Sequence, residues 1–168
     1  VLVFIKIFII ICLSMSLLSD FSAYAICKNT DNCGSDSAAD NGEVFPDITL
    51  GDFNTAHGYH AVGMDITEGD ANTVIGYESG KLIQTGNYNV AIGSESLPAL
   101  TNGDSNTAIG YRAGYANQSG SGNIFIGNLA GSAAGATVDN KLYIDNSATN
   151  SPLIYGDFSS NVVTINED

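Results

Sequence analysis

Most of this 168-residue chain after residue 50 repeats one short unit. Each copy follows the pattern Gly-x-x-Asn-Thr-Ala-Ile-Gly-Tyr, and successive copies are 17 or 18 residues apart. The asparagines that mark the copies are Asn54, Asn72, Asn89, Asn106, Asn123 and, in a weaker match, Asn140. A fixed period this short is typical of a solenoid in which each copy forms one coil and neighbouring coils share a core. The sequence therefore predicts an all-β protein, a parallel β-solenoid or β-roll of about six 17-residue coils.

The distance of a residue from its asparagine predicts the face of the strand on which it lies. Side chains alternate across a strand, so the first and third residues after the asparagine share one face and the second lies on the other. The large third residues are expected to stack inside the coil, where burial of each contributes roughly 1.5–3 kcal/mol. The predicted core column is Ile75, Ile92, Ile109 and Ile126. The threonines at the first position are then expected to face inward as well.

The residues after each strand predict a turn and a return segment. Glycine stands four residues after each of the first five asparagines, and it adopts turn conformations that other residues resist. These predicted turn glycines are Gly58, Gly76, Gly93, Gly110 and Gly127. Residues seven positions after the asparagine are expected to line the return segment, and these are Ala61, Ser79, Ser96, Ala113 and Ala130. Residues ten positions after it are expected to do the same, and these are Met64, Leu82, Ala99, Ala116 and Ala133.

The second residue after each asparagine is apolar too, although it lies opposite the isoleucines. A strand that is apolar on both faces needs cover on both. One interpretation is that this face packs against other subunits, with small side chains that allow close approach. The other is that alanine is simply tolerated on an exposed strand. The first interpretation predicts a subunit interface formed by Ala56, Val74, Ala91, Ala108 and Phe125.

The first 25 residues have the features of a secretory signal peptide. Lys6 precedes an apolar stretch at 7–18, and Ala23-Tyr24-Ala25 matches a small-x-small cleavage site. A transmembrane anchor is the alternative, but the apolar run is shorter than the ~20 residues that a spanning helix needs. We therefore expect an exported protein at the cell surface or outside the cell. It would be associated with a bacterial outer membrane if an anchor exists elsewhere.

The segments on either side of the repeats differ from them in composition. Residues 26–45 are polar and turn-rich and are expected to form a flexible lead-in. A disulfide between Cys27 and Cys33 is expected in an oxidising compartment, whereas a zinc site is disfavoured because no histidine is near. The repeat domain is placed at 46–140. Residues 141–168 alternate apolar and polar residues between turn signals, which predicts a short C-terminal β segment.

Composition and motifs argue against several classes of function. The formal net charge is −13, with 5 lysines and arginines in the whole chain. This disfavours binding to nucleic acid and electrostatic docking on anionic membranes. The repeats contain no Ser/His/Asp set, phosphate-binding loop or carboxylate pair at catalytic spacing. We therefore expect no enzymatic activity, no catalytic residues, no cofactor and no bound metal.

Three residue groups allow both a functional and a structural interpretation. His57 and His60 are close in sequence, but a metal site needs a third ligand at a defined place, so a structural role is favoured. Asp52, Asp70 and Asp104 recur after the repeat glycines; Asx hydrogen bonds within turns are favoured over a calcium ladder, whose motif is absent. A third group forms either an exposed aromatic strip or turn packing, and these alternatives stay open. Its members are Tyr59, Tyr77 and Tyr111.

The repeat units resemble those of a known family. Asn72-Thr-Val-Ile-Gly76, Asn89-Val-Ala-Ile-Gly93 and Asn106-Thr-Ala-Ile-Gly110 are similar to the repeats of trimeric autotransporter adhesin heads, and closely similar repeats occur in phage tail fibres. The tail at 140–145 and 151–158 also resembles the segment that follows such repeats in fibre proteins. The resemblance implies three chains around one axis, each a left-handed parallel β-roll displayed for attachment. His57, which stands where other copies have isoleucine, departs from the pattern as an end cap might.

These observations together predict an exported adhesin-like or fibre head. It would be a homotrimer that presents a β-roll surface for attachment to cells or matrix, through an unknown protein or glycan receptor. The alternative is an ice-binding or other non-adhesive structural β-solenoid, although the threonine column is short and is expected to face inward. A polysaccharide lyase is a remote third class, because no catalytic cluster accompanies the repeats.

Overall fold

The structure, a computed structural model, describes residues 25–26, 38–40, 51–61 and 68–166. In this part of the chain there are strands and turns but no helix, and therefore no helix that could span a membrane. One ten-stranded sheet has the same strand order as the chain. About five coils stack with parallel strands about 17 residues apart, which confirms the predicted all-β solenoid. The predicted signal peptide before Ala25 lies outside the described residues, as do Cys27, Cys33 and Met64.

The strands are short because each coil turns a corner after three or four residues. They are β1 (Ala25–Ile26), β2 (Ala38–Asp40), β3 (Thr55–His57), β4 (Thr73–Ile75), β5 (Val90–Ile92), β6 (Thr107–Ile109), β7 (Ile124–Ile126), β8 (Lys141–Ile144), β9 (Ile154–Asp157) and β10 (Val162–Ile165). Strands β2 to β8 pair in parallel, and equivalent repeat positions lie side by side. The last three strands pair antiparallel, as β8 with β9 and β9 with β10. The predicted C-terminal strands are therefore present.

The parallel ladder begins before the first recognisable repeat. Strand β2 lies in the segment interpreted as a flexible lead-in, and its Ala39 pairs with Ala56 of β3. The two residues are 17 positions apart, which is the period of the repeat. Ser37 stands in the sequence where later copies carry asparagine, so the motif does not reveal this coil. The register also shifts at the other end. The backbone N–H of Lys141, 18 residues after Asn123, donates to the Asn123 side chain. Asn140 instead occupies the corner just before the strand, with a φ angle of +57°.

The repeat asparagines form a hydrogen-bonded ladder inside the coils. All five are fully buried: Asn54, Asn72, Asn89, Asn106 and Asn123. The side-chain oxygen of Asn72 accepts from the backbone N–H of Asn89 at 2.9 Å and from its side-chain amide at 3.0 Å. The side-chain amide of Asn72 also donates to the carbonyl of Gly86 at the end of the same coil, at 2.8 Å. Each asparagine thus closes its own coil and joins it to the next.

The buried asparagine decides the face of each residue in the strand that follows. Alternation places the second residue after it on the same inner side. The second residues are accordingly buried in the core, and these are Ala56, Val74, Ala91, Ala108 and Phe125. The prediction that they form a subunit interface is therefore wrong, because they already pack inside their own chain.

The isoleucine column lies on the outside of the solenoid. Ile75, Ile109 and Ile126 expose 36%, 41% and 37% of their surface, and Ile92 is half-buried. The prediction of an inner isoleucine column is wrong because it assumed that the largest apolar residues fill the core. The asparagine takes the inner side instead, and two residues of one strand three positions apart lie on opposite faces. The first-position threonines face outward for the same reason.

The return segment completes the core. The residues seven positions after each asparagine are all fully buried, as predicted. The described residues ten positions after it are exposed or half-buried, with Leu82 47% exposed, so that part of the prediction is wrong. The inward residues stand one position later, and these are Ile83, Leu100, Asn117 and Ala134.

The turn glycines allow neighbouring coils to approach closely. Gly76 and Gly93 have φ angles of +134° and +132°, in a region that residues with a side chain rarely adopt. A Cβ atom on Gly76 would lie 2.6 Å from the carbonyl oxygen of Gly93 in the next coil. The same arrangement recurs at the other predicted turn glycines, whose role in the turn is confirmed.

Replacement of Asn89 tests the ladder. Asn89→Ala removes the oxygen that accepts from the backbone and side-chain N–H groups of Asn106, and it leaves them buried without a partner. Each unsatisfied buried group costs about 1–3 kcal/mol, so we expect the free energy of unfolding to fall by about 3 kcal/mol or more. Urea denaturation measures the change. The exposed Asn102→Ala is the matched control, expected to change stability by less than about 0.5 kcal/mol. Equal losses in both variants would contradict the ladder.

A second test concerns the space around Phe125. A Cβ atom on Gly131, which has a φ angle of +64°, would overlap the Phe125 ring. Gly131→Ala is therefore expected to cost about 1–3 kcal/mol, and Phe125→Leu in the same chain should recover part of it. The control is Gly135→Ala, because its Cβ would meet only Val138 at 3.5 Å. Strictly additive effects of the two core changes in thermal unfolding would argue against this packing.

Candidate functional site: the isoleucine face

The outer surface of the sheet carries two columns of side chains, most of them apolar. The first column comes from the first strand position, and its members in β3 to β8 are Thr55, Thr73, Val90, Thr107, Ile124 and Leu142. The second column comes from the third position, and its members are His57, Ile75, Ile92, Ile109, Ile126 and Ile144. We call these two columns, with their continuation over β9 and β10, the isoleucine face.

The C-terminal hairpin continues this face beyond the last repeat. Ile144 pairs with Ile154 of β9, and Ile154 pairs with Ile165 of β10. The second column therefore holds seven consecutive isoleucines after His57. Val163 lies beside Gly156 and extends the first column, and Val163 and Ile165 are 63% and 66% exposed. Seven spacings of about 4.8 Å give the isoleucine face a length of roughly 34 Å from β3 to β10.

The opposite side of the C-terminal strands closes the core. The Tyr143 ring stacks on Phe125, with 5.6 Å between the ring centroids. Tyr155 meets Tyr143 edge-on at 5.4 Å, and burial raises the pKa of Tyr143 above its usual value. The three aromatic rings therefore cover the end of the narrow interior, while the isoleucines of the same strands remain outside.

Charged residues lie away from the isoleucine face. His57 is its only titratable residue from β3 to β10. The described basic side chains pair elsewhere, with Lys81 bound to Glu78 at 3.1 Å and Arg112 to Glu95 at 2.8 Å. The hydrogen bond from Lys81 lowers the pKa of Glu78 below its usual value. A chain with a net charge of −13 thus retains an uncharged strip along one side.

The two histidines occupy different surroundings. His57 lies at the β3 end of the isoleucine face, whereas His60 lies at the corner and stacks on Tyr59 with 4.0 Å between the ring centroids. The Nδ1 atom of His60 is 3.9 Å from the carboxylate of Glu78. No group of three or more His, Cys, Asp or Glu residues that could hold a metal ion occurs in the described part of the chain.

The recurring aspartates join one coil to the next. The carboxylate of Asp70 accepts from the backbone N–H of Asp52 at 2.7 Å, and Asn87 accepts from the N–H of Asp70 at 2.8 Å. Asp104 then accepts from the N–H of Asn87 at 2.8 Å. These bonds span 17 or 18 residues, so the expected Asx bonds within a single turn are replaced by bonds between coils. Asn87 takes part although it interrupts the aspartate series in the sequence.

The tyrosine column is an exposed strip. Tyr59 and Tyr77 are each 48% exposed, and their rings stack with centroids 5.9 Å apart and planes 9° apart. Tyr111 is also exposed, and the guanidinium of Arg112 lies over its ring at 5.1 Å. The tyrosines are thus exposed, as one alternative predicted, and Tyr59 and Tyr77 also pack on each other at the turn, as the other predicted.

Comparison with known families, proteins and structures found no relative of this chain. No protein-family model, curated protein or solved structure matches the chain. The sequence prediction missed the isoleucine face. The asparagine is the most regular residue of the repeat, and its burial would have placed the isoleucines outside by alternation.

Acid sensitivity of the C-terminal hairpin follows from its ion pair. The Lys141 ammonium donates to the Asp157 carboxylate at 2.8 Å and holds the pKa of that carboxyl well below its usual range. Since the folded pKa is lowered, the pair stabilises the hairpin fully above the ordinary aspartate pKa of about 4, and this stabilisation is lost as pH falls further. We expect hydrogen exchange in β9 to lose protection on acidification. In Asp157→Asn, protection of β9 should no longer depend on this acidification. If the variant lost protection over the same pH range as the parent chain, the role of the pair would be contradicted.

Proposed function

We propose that this protein is the head of an exported, homotrimeric surface fibre that attaches to cells or matrix, similar to trimeric autotransporter adhesin heads. The isoleucine face is the observation that carries the proposal. Large exposed apolar patches on soluble proteins mark sites of association. This face is long and regular, which suits a permanent contact with other subunits.

Charge favours further copies of the same chain as the partners on this face. Two chains that each carry a net charge of −13 repel one another over most of their surfaces. The uncharged isoleucine face is where such chains can approach without placing carboxylates opposite each other. Identical coil spacing in each copy would also bring isoleucine columns into regular contact along their whole length. The repeat resemblance to trimeric heads supports three copies around one axis.

The attachment role follows from the rest of the surface. A trimer closed through the isoleucine face would leave the corners with the tyrosine and aspartate columns exposed on every subunit. Each coil repeats its corner at a spacing of about 4.8 Å, so a receptor would meet a periodic surface presented three times. Repetition of this kind raises avidity when several weak contacts form together.

Ice binding is the second candidate, because the threonine column faces outward. Thr55, Thr73 and Thr107 lie on a regularly paired sheet surface, although Val90 and Ile124 interrupt the column. The repeated strand spacing could order water on that face. Thermal hysteresis of the purified chain would support this function, and its absence would exclude it.

A charge on the isoleucine face tests the trimer. Ile109→Lys places an ammonium group at the middle of the face, so we expect the trimer to dissociate to monomers at micromolar concentration in light scattering. The coil should remain folded, because Ile109 packs outside the core. Leu82→Lys is the matched control, since Leu82 is an exposed apolar residue on the return segment. A monomeric parent chain, or equal effects of both variants, would refute the proposed interface.

A further inference from the structure

Strand β10 ends the sheet in the described part of the chain, and only one of its two edges is paired. It pairs antiparallel with β9, and its residues from Val162 to Ile165 are all exposed. The strand contains no charged residue and no proline, and its register with β9 is uninterrupted by a bulge. Charges, prolines and bulges are the features that usually prevent sheet edges from pairing with another chain. The free edge of β10 is therefore available to a further strand.

The register with β9 shows which backbone groups point to this free edge. The N–H of Asn166 donates to the carbonyl of Leu153, just before β9, at 3.0 Å. Bonded positions alternate along an antiparallel strand, so Thr164 also directs its N–H and C=O groups to β9. Val163 and Ile165 consequently direct theirs to the free edge. Their side chains, which are 63% and 66% exposed, lie on the isoleucine face.

A second copy of β10 fits this edge best in one antiparallel register. With Thr164 opposite Thr164 of the second copy, Val163 lies beside Ile165 of that copy, and the N–H of each donates to the carbonyl of the other. The two threonines are then directly opposed, with Cβ atoms about 4.5–5.5 Å apart, which is a favourable pair. A shift by two residues would bring Asn161, with a φ angle of +55°, into the ladder, or place the charged Glu167 opposite an apolar residue.

Charge also favours a copy of this chain as the partner on this edge. Residues 161–166 carry no charge, and the carboxylate of Asp157 in the neighbouring strand is paired with Lys141 at 2.8 Å. Two chains with a net charge of −13 can therefore meet here without opposed carboxylates. A two-fold axis through Thr164, perpendicular to the sheet, would keep the isoleucine faces of both copies on the same side of the joined sheet.

We propose that two trimers of this protein join end to end through antiparallel pairing of their β10 strands. Three chains around one axis place their three β10 edges at the same end of the assembly, so all three edges can pair at once. One pair of short edges binds weakly, whereas three pairs that form together bind far more tightly. The proposal rests on the trimer of the proposed function and adds a second contact surface, whose partner is another copy of the same strand.

The number of chains in the assembly tests both proposals. Light scattering of the full parent chain at micromolar concentration is expected to give six chains. Three chains would refute the end-to-end pairing and leave the trimer intact. Two chains would refute the trimer and leave the pairing of β10 edges intact, and a single chain would refute both.

Charges at Thr164 test the register of the pairing. Thr164→Lys places like charges directly opposite each other across the two-fold axis, and Thr164→Glu does the same with the other sign, so each variant should stop at three chains. An equal mixture of the two variants should recover six. Both should fold as trimers, because Thr164 is exposed and lies on the side opposite the isoleucine face. Six chains in either variant alone, or no recovery in the mixture, would contradict this register.

A proline tests the hydrogen bonds without a change of charge. Val163→Pro removes an N–H that points to the free edge and keeps the bonds to β9, so we expect three chains. Val163→Ala is the matched control, because it shortens the side chain but keeps the N–H, and it should remain at six. The Ile165 amide should exchange roughly tenfold faster in the proline variant than in the parent. Slow exchange of this amide in a three-chain assembly would show that another segment of the chain covers the edge, and would overturn the proposal.

Discussion

The structure depends on a buried ladder of asparagine side chains. An isolated three-residue strand has little stability, and here each strand is fixed at its start by a side chain that bonds within its coil and to the next coil. The ladder also satisfies its own polar atoms, and no buried side-chain nitrogen or oxygen lacks a hydrogen-bond partner among the described residues. Buried amides are tolerated in a core only when they are fully bonded in this way. Cooperation between coils is therefore built into the motif.

The ladder leaves little space for other side chains, and the core has adapted to this limit. Alanine, serine and glycine fill most inward positions, while large residues enter only where neighbours are small. Phe125, for example, occupies space next to Gly114 and Gly131. Isoleucine at the third strand position is consequently excluded from the interior. The narrow core and the apolar exterior are two results of one constraint, and together they leave the solenoid with a surface suited to association.

The C-terminal strands change the direction of the chain without interrupting the outer face. Their antiparallel pairing ends the coil stack, and Tyr143 and Tyr155 close the interior where the ladder stops. Ile154 and Ile165 nevertheless keep the isoleucine column in register. This continuity makes the hairpin a part of the proposed subunit contact as well as a cap. The tyrosine corners lie on other edges of each coil, so they would stay exposed in such an assembly.

The period of the asparagines was sufficient to predict the fold class, the parallel stacking and the turn glycines, because these follow from spacing and backbone conformation alone. The burial of the small residues seven positions after each asparagine was also predictable. The sequence could not predict which face of each strand is buried, because alternation fixes only which residues share a side. The choice of the buried side depends on what fits within a closed coil. The burial of Asn72 and the exposure of Ile75 are results of that three-dimensional fit. Sequence periodicity thus determined that the chain is a stacked coil, whereas the tertiary structure decided which of its surfaces faces outward, because only closure of the coil sets the volume available inside.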